Sequence, residues 1–179
     1  MKATGIVRRI DDLGRVVIPK EIRRTMRIRE GDPLEIYTDT NGEVIFKKYS
    51  PIGELGPYTK QYVEVLNRST GLPAIICDRD HVIAAAGIPK KDVMEKRISP
   101  MVESFMEKRA NYVFATDKEE FTVCDGVERK IGVMSPIIGA GDVMGAVMVL
   151  TNGNDSAPSQ TEIKLVQVAA GFLGKQMEE

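Results

Sequence analysis

The sequence predicts an α+β chain in two parts, a small strand–strand–helix–hairpin module followed by a larger α/β domain. Basic residues concentrate in residues 1–29, which separates the first part from the rest. Residues 49–57 contain two prolines and two glycines, a composition that favours a connecting segment. From residue 58 onward, helical apolar stripes alternate with apolar strand runs. We therefore expect domains at 1–50 and 58–179, joined by a linker at 51–57.

The first module is predicted from short local signals. Residues 4–10 and 15–18 have strand character, and Asp11–Gly14 between them is typical of a turn. Pro19 suits the first turn of a short helix, on which Ile18, Ile22 and Met26 form an apolar stripe and the arginines face solvent. Two further alternating segments flank Asn41-Gly42, the strongest short hairpin signal. A unit this small buries little apolar surface and has open strand edges, so we expect it to pair with a second copy.

The second domain alternates helices and strands. The spacing first predicts a helix at 58–68, strands around 72–78 and 82–87 joined by the turn 79–81, and a helix-rich section at 89–109. A strand at 111–116 and a polar loop at 117–129 follow. Two apolar strands then lie on either side of 139–142, before a polar loop at 152–160 and a last helix at 161–177. The segment Gly139-Ala140-Gly141 precedes a strand, which favours a hairpin turn over a phosphate-binding loop.

The last helix carries two apolar faces. One is a heptad-like seam, composed of Ile163, Val166, Ala170, Leu173 and Met177. The companion face is composed of Leu165, Val168, Ala169 and Phe172. A helix this apolar is covered on two sides, either by its own domain alone or by its own sheet and a helix of a second subunit. The sequence leaves both interpretations open.

Composition excludes several classes of protein. No apolar run reaches the roughly 18 residues of a membrane span, and charged residues interrupt the N-terminal segment where a signal peptide is apolar, so we expect a cytoplasmic protein. Cys77 and Cys124 form no metal-binding spacing, and His81 is the only histidine. We therefore expect neither a metal site nor catalytic residues, and we expect that the chain is not an enzyme.

Charge patterning indicates a nucleic-acid partner. Residues 1–29 contain nine basic and three acidic residues, although the whole chain has a net charge of −1. Arg8 and Arg15 flank the predicted turn, and Arg23 and Arg24 lie on the predicted helix; arginine suits both phosphate and guanine. The auxiliary basic residues are Lys2, Arg9, Lys20 and Arg27. The alternative is a solvated face with local ion pairs, such as Glu21 with Arg24.

The residues themselves then favour DNA. The segment 4–37, and above all its core GRVVIPKEIRR at 14–24, resembles the AbrB-type (SpoVT-type) swapped-hairpin DNA-binding domain. The resemblance implies that two modules interleave their hairpins into one β-barrel. It also implies that Arg8, Arg15, Arg23 and Arg24 contact DNA, and that the chain activates and represses late sporulation genes of endospore-forming bacteria.

The second domain resembles GAF domains through Ser135-Pro136-Ile137 and residues 141–152. Such domains often hold a small ligand between the sheet and its covering helices, so an unknown ligand is the only cofactor we expect. Candidate lining residues are Ile76, Phe105, Phe114 and Met134. The alternative for all four is ordinary core packing.

These expectations combine into one hypothesis. The chain binds double-stranded DNA at the nucleoid as a homo-oligomer, dimeric through its N-terminal barrel and tetrameric through its C-terminal helices, without a membrane partner. Two alternative classes of protein remain beside this hypothesis. One is an antitoxin-type autoregulator, although such proteins usually end in a short disordered segment. The other is a ligand sensor whose first module only dimerises.

Overall fold

The computed structural model describes residues 4–115, 119–153 and 156–178. The chain divides into two compact units, Met1–Tyr49 and Ser50–Glu179. The segment 51–57, which we expected to be a linker, belongs to the second unit and is helical, with α2 at Pro51–Glu54 and the start of the next helix. The reason is packing, because Ile52 is fully buried in the core of that unit.

Over its described residues, 4–49, the first unit contains one short helix and one hairpin. Its elements are α1 (Lys20–Met26), β1 (Leu34–Thr38) and β2 (Val44–Lys48). The strands pair antiparallel, as the Asn41-Gly42 signal predicted. The loop is closed by Asp39, whose carboxylate accepts hydrogen bonds from the backbone of Asn41 (3.0 Å) and Glu43 (2.9 Å). Gly42 adopts a φ of +83°, which is open to glycine at little cost.

The predicted strands at 4–10 and 15–18 are absent from this single chain. Only the turn between them forms: the Gly14 N–H donates to the Asp11 carbonyl, and the Asp11 N–H donates to the Arg15 carbonyl, both at 3.0 Å. A strand exists only where a neighbouring strand receives its backbone hydrogen bonds, and these residues pair with none of the strands that the structure describes. The prediction of strands was therefore wrong for the isolated chain.

The second unit is built on a five-stranded antiparallel sheet in the order β4-β3-β7-β6-β5. The strands are β3 (Ala74–Cys77), β4 (Val82–Ala86), β5 (Tyr112–Val113), β6 (Ile131–Gly139) and β7 (Asp142–Leu150). The β6–β7 hairpin turns at Ala140 and Gly141, both with positive φ (50° and 86°), the signature of a tight hairpin turn. This confirms the hairpin prediction.

Helices and one irregular segment cover the sheet and create two hydrophobic clusters. The helices are α3 (Gly56–Thr70), α4 (Lys90–Val93), α5 (Pro100–Glu107) and α6 (Gln160–Gln176). The first cluster joins α4, α5 and residues 121–127 to the sheet, and the second joins α2, α3 and α6 to it. The segment 117–129, predicted as a polar loop, therefore contributes Phe121, Val123 and Val127 to the core within its described part. The charged residues around these apolar positions gave the segment its polar character in the sequence.

Helix α6 starts at a capping box in which the Ser159 hydroxyl accepts the Glu162 N–H and the Glu162 carboxylate accepts the Ser159 N–H. Its heptad-like seam packs within its own unit, since Val166, Ala170 and Leu173 are buried in the second cluster. On the companion face, Val168 and Phe172 remain 61% and 44% exposed.

Candidate nucleic-acid interface

The predicted DNA-contacting arginines lie in two pairs. Arg8 and Arg15 stand on the two arms of the Asp11–Gly14 turn, and both are exposed. Arg23 and Arg24 are adjacent on α1, where Arg24 is exposed but Arg23 is half-buried. Of the auxiliary residues, Arg9, Lys20 and Arg27 are exposed, whereas Lys2 lies outside the described residues.

The half-burial of Arg23 differs from the expected helical pattern. The apolar stripe predicted that Ile22 and Met26 would face inward, but Met26 is 57% exposed and Pro19 is buried. The inward side of α1 therefore passes through Pro19, Ile22 and Arg23. The long aliphatic stem of an arginine tolerates such a position, because it covers apolar surface while its head group remains hydrated.

Helix α1 is held in place at its C-terminal end. Its C-cap residue, Arg27, has a left-handed backbone conformation (φ 50°), and its carbonyl accepts a 2.9 Å hydrogen bond from the Lys48 ammonium group of β2. A cation at the end of a helix also offsets the partial negative charge of the final carbonyls. This contact fixes the arginine-bearing helix against the hairpin of its own unit.

A carboxylate organises the turn between Arg8 and Arg15. The Oδ1 atom of Asp11 accepts the N–H groups of Leu13 (3.0 Å) and Arg15 (2.7 Å), and Oδ2 accepts Nε–H of the Arg15 guanidinium at 2.8 Å. These hydrogen bonds, first from the Arg15 backbone and then from its side chain, lower the pKa of Asp11 below its usual value. Asp11 therefore stays ionised, and Arg15 is the one primary arginine with a carboxylate partner among the described residues.

The first unit leaves its apolar side chains uncovered. Pro19 is its only buried residue among those that the structure describes. The exposed large apolar side chains are Ile6, Val7, Ile10, Leu13, Val16, Val17, Met26, Ile36, Tyr37, Val44 and Phe46. Monomeric proteins rarely expose apolar groups in such density. The first unit thus presents an apolar surface to solvent.

The four candidate pocket residues do not lie together. Phe105, Phe114 and Met134 belong to the first cluster of the second unit, whereas Ile76 belongs to the second. Successive side chains of a strand point to opposite faces, and the neighbours of Ile76 on β3, Ile75 and Cys77, lie in the first cluster. Grouping Ile76 with the other three was wrong.

The structure adds two aromatic residues to the remaining three. Phe105 packs edge-on to Tyr112 (5.3 Å between ring centroids) and stacks on Phe121 (5.4 Å). Tyr112 could have been found by its alternation with Phe114, but Phe121 lies in the segment expected to be a polar loop. Burial raises the pKa of Tyr112 and of the Cys77 and Cys124 thiols, which keeps these groups protonated and the thiols unreactive.

Two other kinds of site are absent from the described parts of the chain. No three His, Cys, Asp or Glu side chains are grouped to hold a metal ion there. None of the helices in those parts has the length and hydropathy to cross a membrane.

Comparison with known families matches both units. Residues 54–178 match the family model for the stage V sporulation protein T C-terminal domain, described as a transcription factor. Residues 7–53 match the model for antidote-toxin recognition MazE, a bacterial antitoxin.

Individual proteins and solved structures are also similar to the two units. Stage V sporulation protein T of Bacillus subtilis (strain 168) is 52% identical over 181 residues, covering 100% of both chains. The transition state regulatory protein AbrB of the same organism is 63% identical over 51 residues, which are 28% of this chain and 52% of that relative. The crystal structure of the GAF domain from Acinetobacter phosphoenolpyruvate-protein phosphotransferase covers 71% of this chain and 87% of its own, with a TM-score of 0.58 and 13% identity. An AbrB-type first unit and a GAF fold in the second confirm the predicted fold class.

Proposed function

The chain belongs to the stage V sporulation protein T family of transcription factors, and from this premise we propose that it activates some sporulation genes and represses others by binding double-stranded DNA as a homo-oligomer. Membership of a transcription-factor family agrees with the expectation that the chain is not an enzyme. The observation that carries the proposal is the 52% identity over the full length of both chains. We also propose that the protein acts in the cytoplasm, at the nucleoid, where its DNA partner lies.

Arginines of the first unit form the proposed DNA interface. Arg8, Arg15, Arg23 and Arg24 provide the primary contacts, and the auxiliary contacts come from Lys2, Arg9, Lys20 and Arg27. Over 51 residues the chain is 63% identical to the transition state regulatory protein AbrB. Two copies bring eight primary arginines to one duplex, so affinity should fall steeply with salt as phosphate-bound counterions are released.

A second copy is the proposed partner of the first unit. The apolar side chains there are uncovered, as Val7 (89% exposed) and Val17 (70% exposed) illustrate. Residues 4–10 and 15–18 have strand-like sequences, but they join neither of the two sheets in the described parts of the chain. Interleaving with an identical chain would bury the apolar groups and give these backbones a ladder, completing a swapped-hairpin barrel.

The C-terminal helices are the proposed second interface. Val168 and Phe172 on α6 and Val65 on α3 are exposed, and the Phe172 ring contacts Tyr62 of α3 at 5.6 Å between centroids. Burying this patch against the same patch of another chain joins two barrel dimers into a tetramer. Two DNA-binding faces in one particle would then gain from effective concentration.

The GAF-like unit is the proposed site of regulation by an unidentified small ligand. The aromatic cluster formed by Phe105, Tyr112 and Phe121, with Phe114 and Met134 beside it, is the part that a ligand would use. A ligand shifts DNA binding only if it binds one arrangement of the protein more tightly than another.

Substitution of the α1 arginines tests DNA binding. Fluorescence anisotropy with a 30-base-pair duplex, titrated at several salt concentrations, is expected to show weaker binding by Arg23→Ala and Arg24→Ala. The salt slope should also become shallower, by about 0.9 for each phosphate that is no longer neutralised. Arg68→Ala, which removes an exposed arginine of α3, is the matched control and should bind as the wild type does. Wild-type binding by both α1 variants would refute the assignment of this face.

The match of residues 7–53 to an antitoxin model favours, as a second candidate, an antitoxin-type autoregulator. That function predicts a C-terminal segment which folds on a toxin. Limited proteolysis separates the candidates, since our proposal predicts a resistant fragment that begins near Ser50 and contains the whole sheet of the second unit.

A further inference from the structure

The Asp11–Arg15 ion pair distinguishes Arg15 from the other primary arginines. Its Nε–H donates to Oδ2 of Asp11 at 2.8 Å, yet the Arg15 side chain stays 69% exposed. Within the described residues, no carboxylate lies at ion-pair distance from Arg8, Arg23 or Arg24. The four arginines therefore meet a DNA duplex in two different electrostatic states.

We propose that Asp11 is a positioning residue that holds Arg15 to read a guanine edge in the major groove, while the unpaired arginines neutralise phosphates. The inference rests on the proposed DNA-binding function and assigns specificity within it. Asp11, an acidic residue within a basic surface, is then part of the DNA-recognition site.

Geometry supports this division of roles. Because Asp11 binds Nε, both terminal amino groups of the guanidinium remain without a partner among the described residues. Those two groups form the fork that donates to O6 and N7 of guanine. Asp11 is itself fixed, since its Oδ1 atom accepts the N–H groups of Leu13 and Arg15 and its backbone N–H donates to the Arg15 carbonyl. The guanidinium is thus tethered to a closed turn and loses less side-chain freedom when it binds.

The charge of the Asp11–Arg15 pair also supports this division of roles between the arginines. A carboxylate at 2.8 Å offsets the positive charge of Arg15 and repels any phosphate that approaches it. Hydrogen bonds to base edges depend on direction more than on net charge, so the same pairing costs little there. A neutralised, oriented arginine is a poor phosphate ligand and a good reader of bases.

The test uses full-length protein and duplexes enriched by the wild type from a randomised pool. Guanines of one enriched duplex are replaced singly by 7-deazaguanine, which removes the N7 acceptor and preserves base pairing. We expect the wild type to lose about tenfold in affinity at one or more guanines. Asp11→Asn should reduce this loss to less than about twofold, because it keeps an oxygen for the turn but removes the charge that holds the guanidinium.

The matched control is Asp12→Asn. Asp12 is exposed, makes no hydrogen bond or ion pair among the described residues, and undergoes the same change of charge. It should retain the full 7-deazaguanine penalty, whereas both variants should bind random duplexes somewhat more tightly. Arg15→Lys provides a second route if Asp11→Asn unfolds, because lysine keeps the charge, lacks the fork, and should lose the penalty.

Three results would contradict the inference in separable ways. If Asp11→Asn is folded and keeps the wild-type penalty, Asp11 does not position Arg15. If no guanine of the enriched duplex is sensitive to the loss of N7, Arg15 does not read a guanine. A wild type that binds no duplex even at low salt would instead refute the DNA-binding function on which the inference rests.

Discussion

Gly174 of α6 lies directly against the carbonyl oxygen of Ile138 on β6. A Cβ atom built on Gly174 would stand 2.1 Å from that oxygen, and one built on Gly139 would stand 3.0 Å from the Gly174 carbonyl oxygen. Helix and strand backbones therefore touch where α6 ends. The contact is possible because Gly174 and Gly139 both lack a side chain, and it sets how closely α6 packs on the sheet.

Gly174→Ala should lower the free energy of unfolding by about 1–3 kcal/mol, the usual cost of forcing an extra methyl group into a packed site. The obstructing atoms belong to the backbone of Ile138 and cannot rotate away. Urea denaturation followed by circular dichroism measures the change.

Gly171→Ala is the control, three residues earlier in the same helix. Apart from the neighbouring backbone of α6 itself, a Cβ there meets no atom of the described residues within 4 Å, so alanine should raise stability by up to about 1 kcal/mol through helix propensity alone. Equal stability of the wild type and Gly174→Ala would show that α6 does not pack this closely. A loss in Gly171→Ala would show that another chain lies against this side of α6.

Ala140→Asn should raise the free energy of unfolding by about 0.5–1 kcal/mol. Ala140 has a φ of 50° in the β6–β7 turn, a conformation that costs alanine about 1–2 kcal/mol and that asparagine adopts more readily. The converse variant, Gly141→Ala, places a side chain at a φ of 86° and should destabilise the hairpin. Thermal unfolding of both proteins checks the pair, and the opposite order of melting temperatures would refute this turn geometry.

Val168→Lys should convert the proposed tetramer into a dimer without unfolding the chain. Val168 is 61% exposed within its own unit, so lysine reaches solvent in the monomer but places a charge in an interface between copies. Light scattering on a sizing column would then report half the wild-type mass. Glu128→Lys, an exposed change outside the α3 and α6 helices, should leave the mass unaltered. Identical masses for Val168→Lys and the wild type would exclude assembly through this patch.

Stability should decline in alkali through the buried thiol of Cys77. Burial raises the pKa of this group above its ordinary value of 9.0, so the folded chain holds the proton that the unfolded chain releases. The stabilisation is complete below about pH 9 and is lost as pH rises further, because deprotonation favours the unfolded state. Denaturation in reducing buffer should show a shallower alkaline decline for Cys77→Ala. The shared decline that remains comes from Cys124, Tyr62 and Tyr112, whose pKa values burial also raises. Equal slopes for both proteins would mean that the Cys77 thiol is exposed to solvent.

The sequence by itself determined the features that depend on neighbouring residues. The Asp11–Gly14 turn, the hairpins at Asn41-Gly42 and Ala140-Gly141, and helix α6 were all predicted, because local backbone preferences and apolar spacing are written in consecutive residues. The AbrB-type and GAF-like character of the two units was predicted separately, from the resemblance of their motifs to those families.

Only the tertiary structure decided which side of an element is covered, and by what. It placed Ile76 away from Phe105, Phe114 and Met134, although the alternation along β3 was plain in the sequence. It also turned the expected linker into helix around the buried Ile52. Periodicity states which residues share a face, but burial depends on distant parts of the chain that cover that face. For the same reason residues 4–10 form no strand alone, since a strand needs a neighbour that its own sequence does not provide.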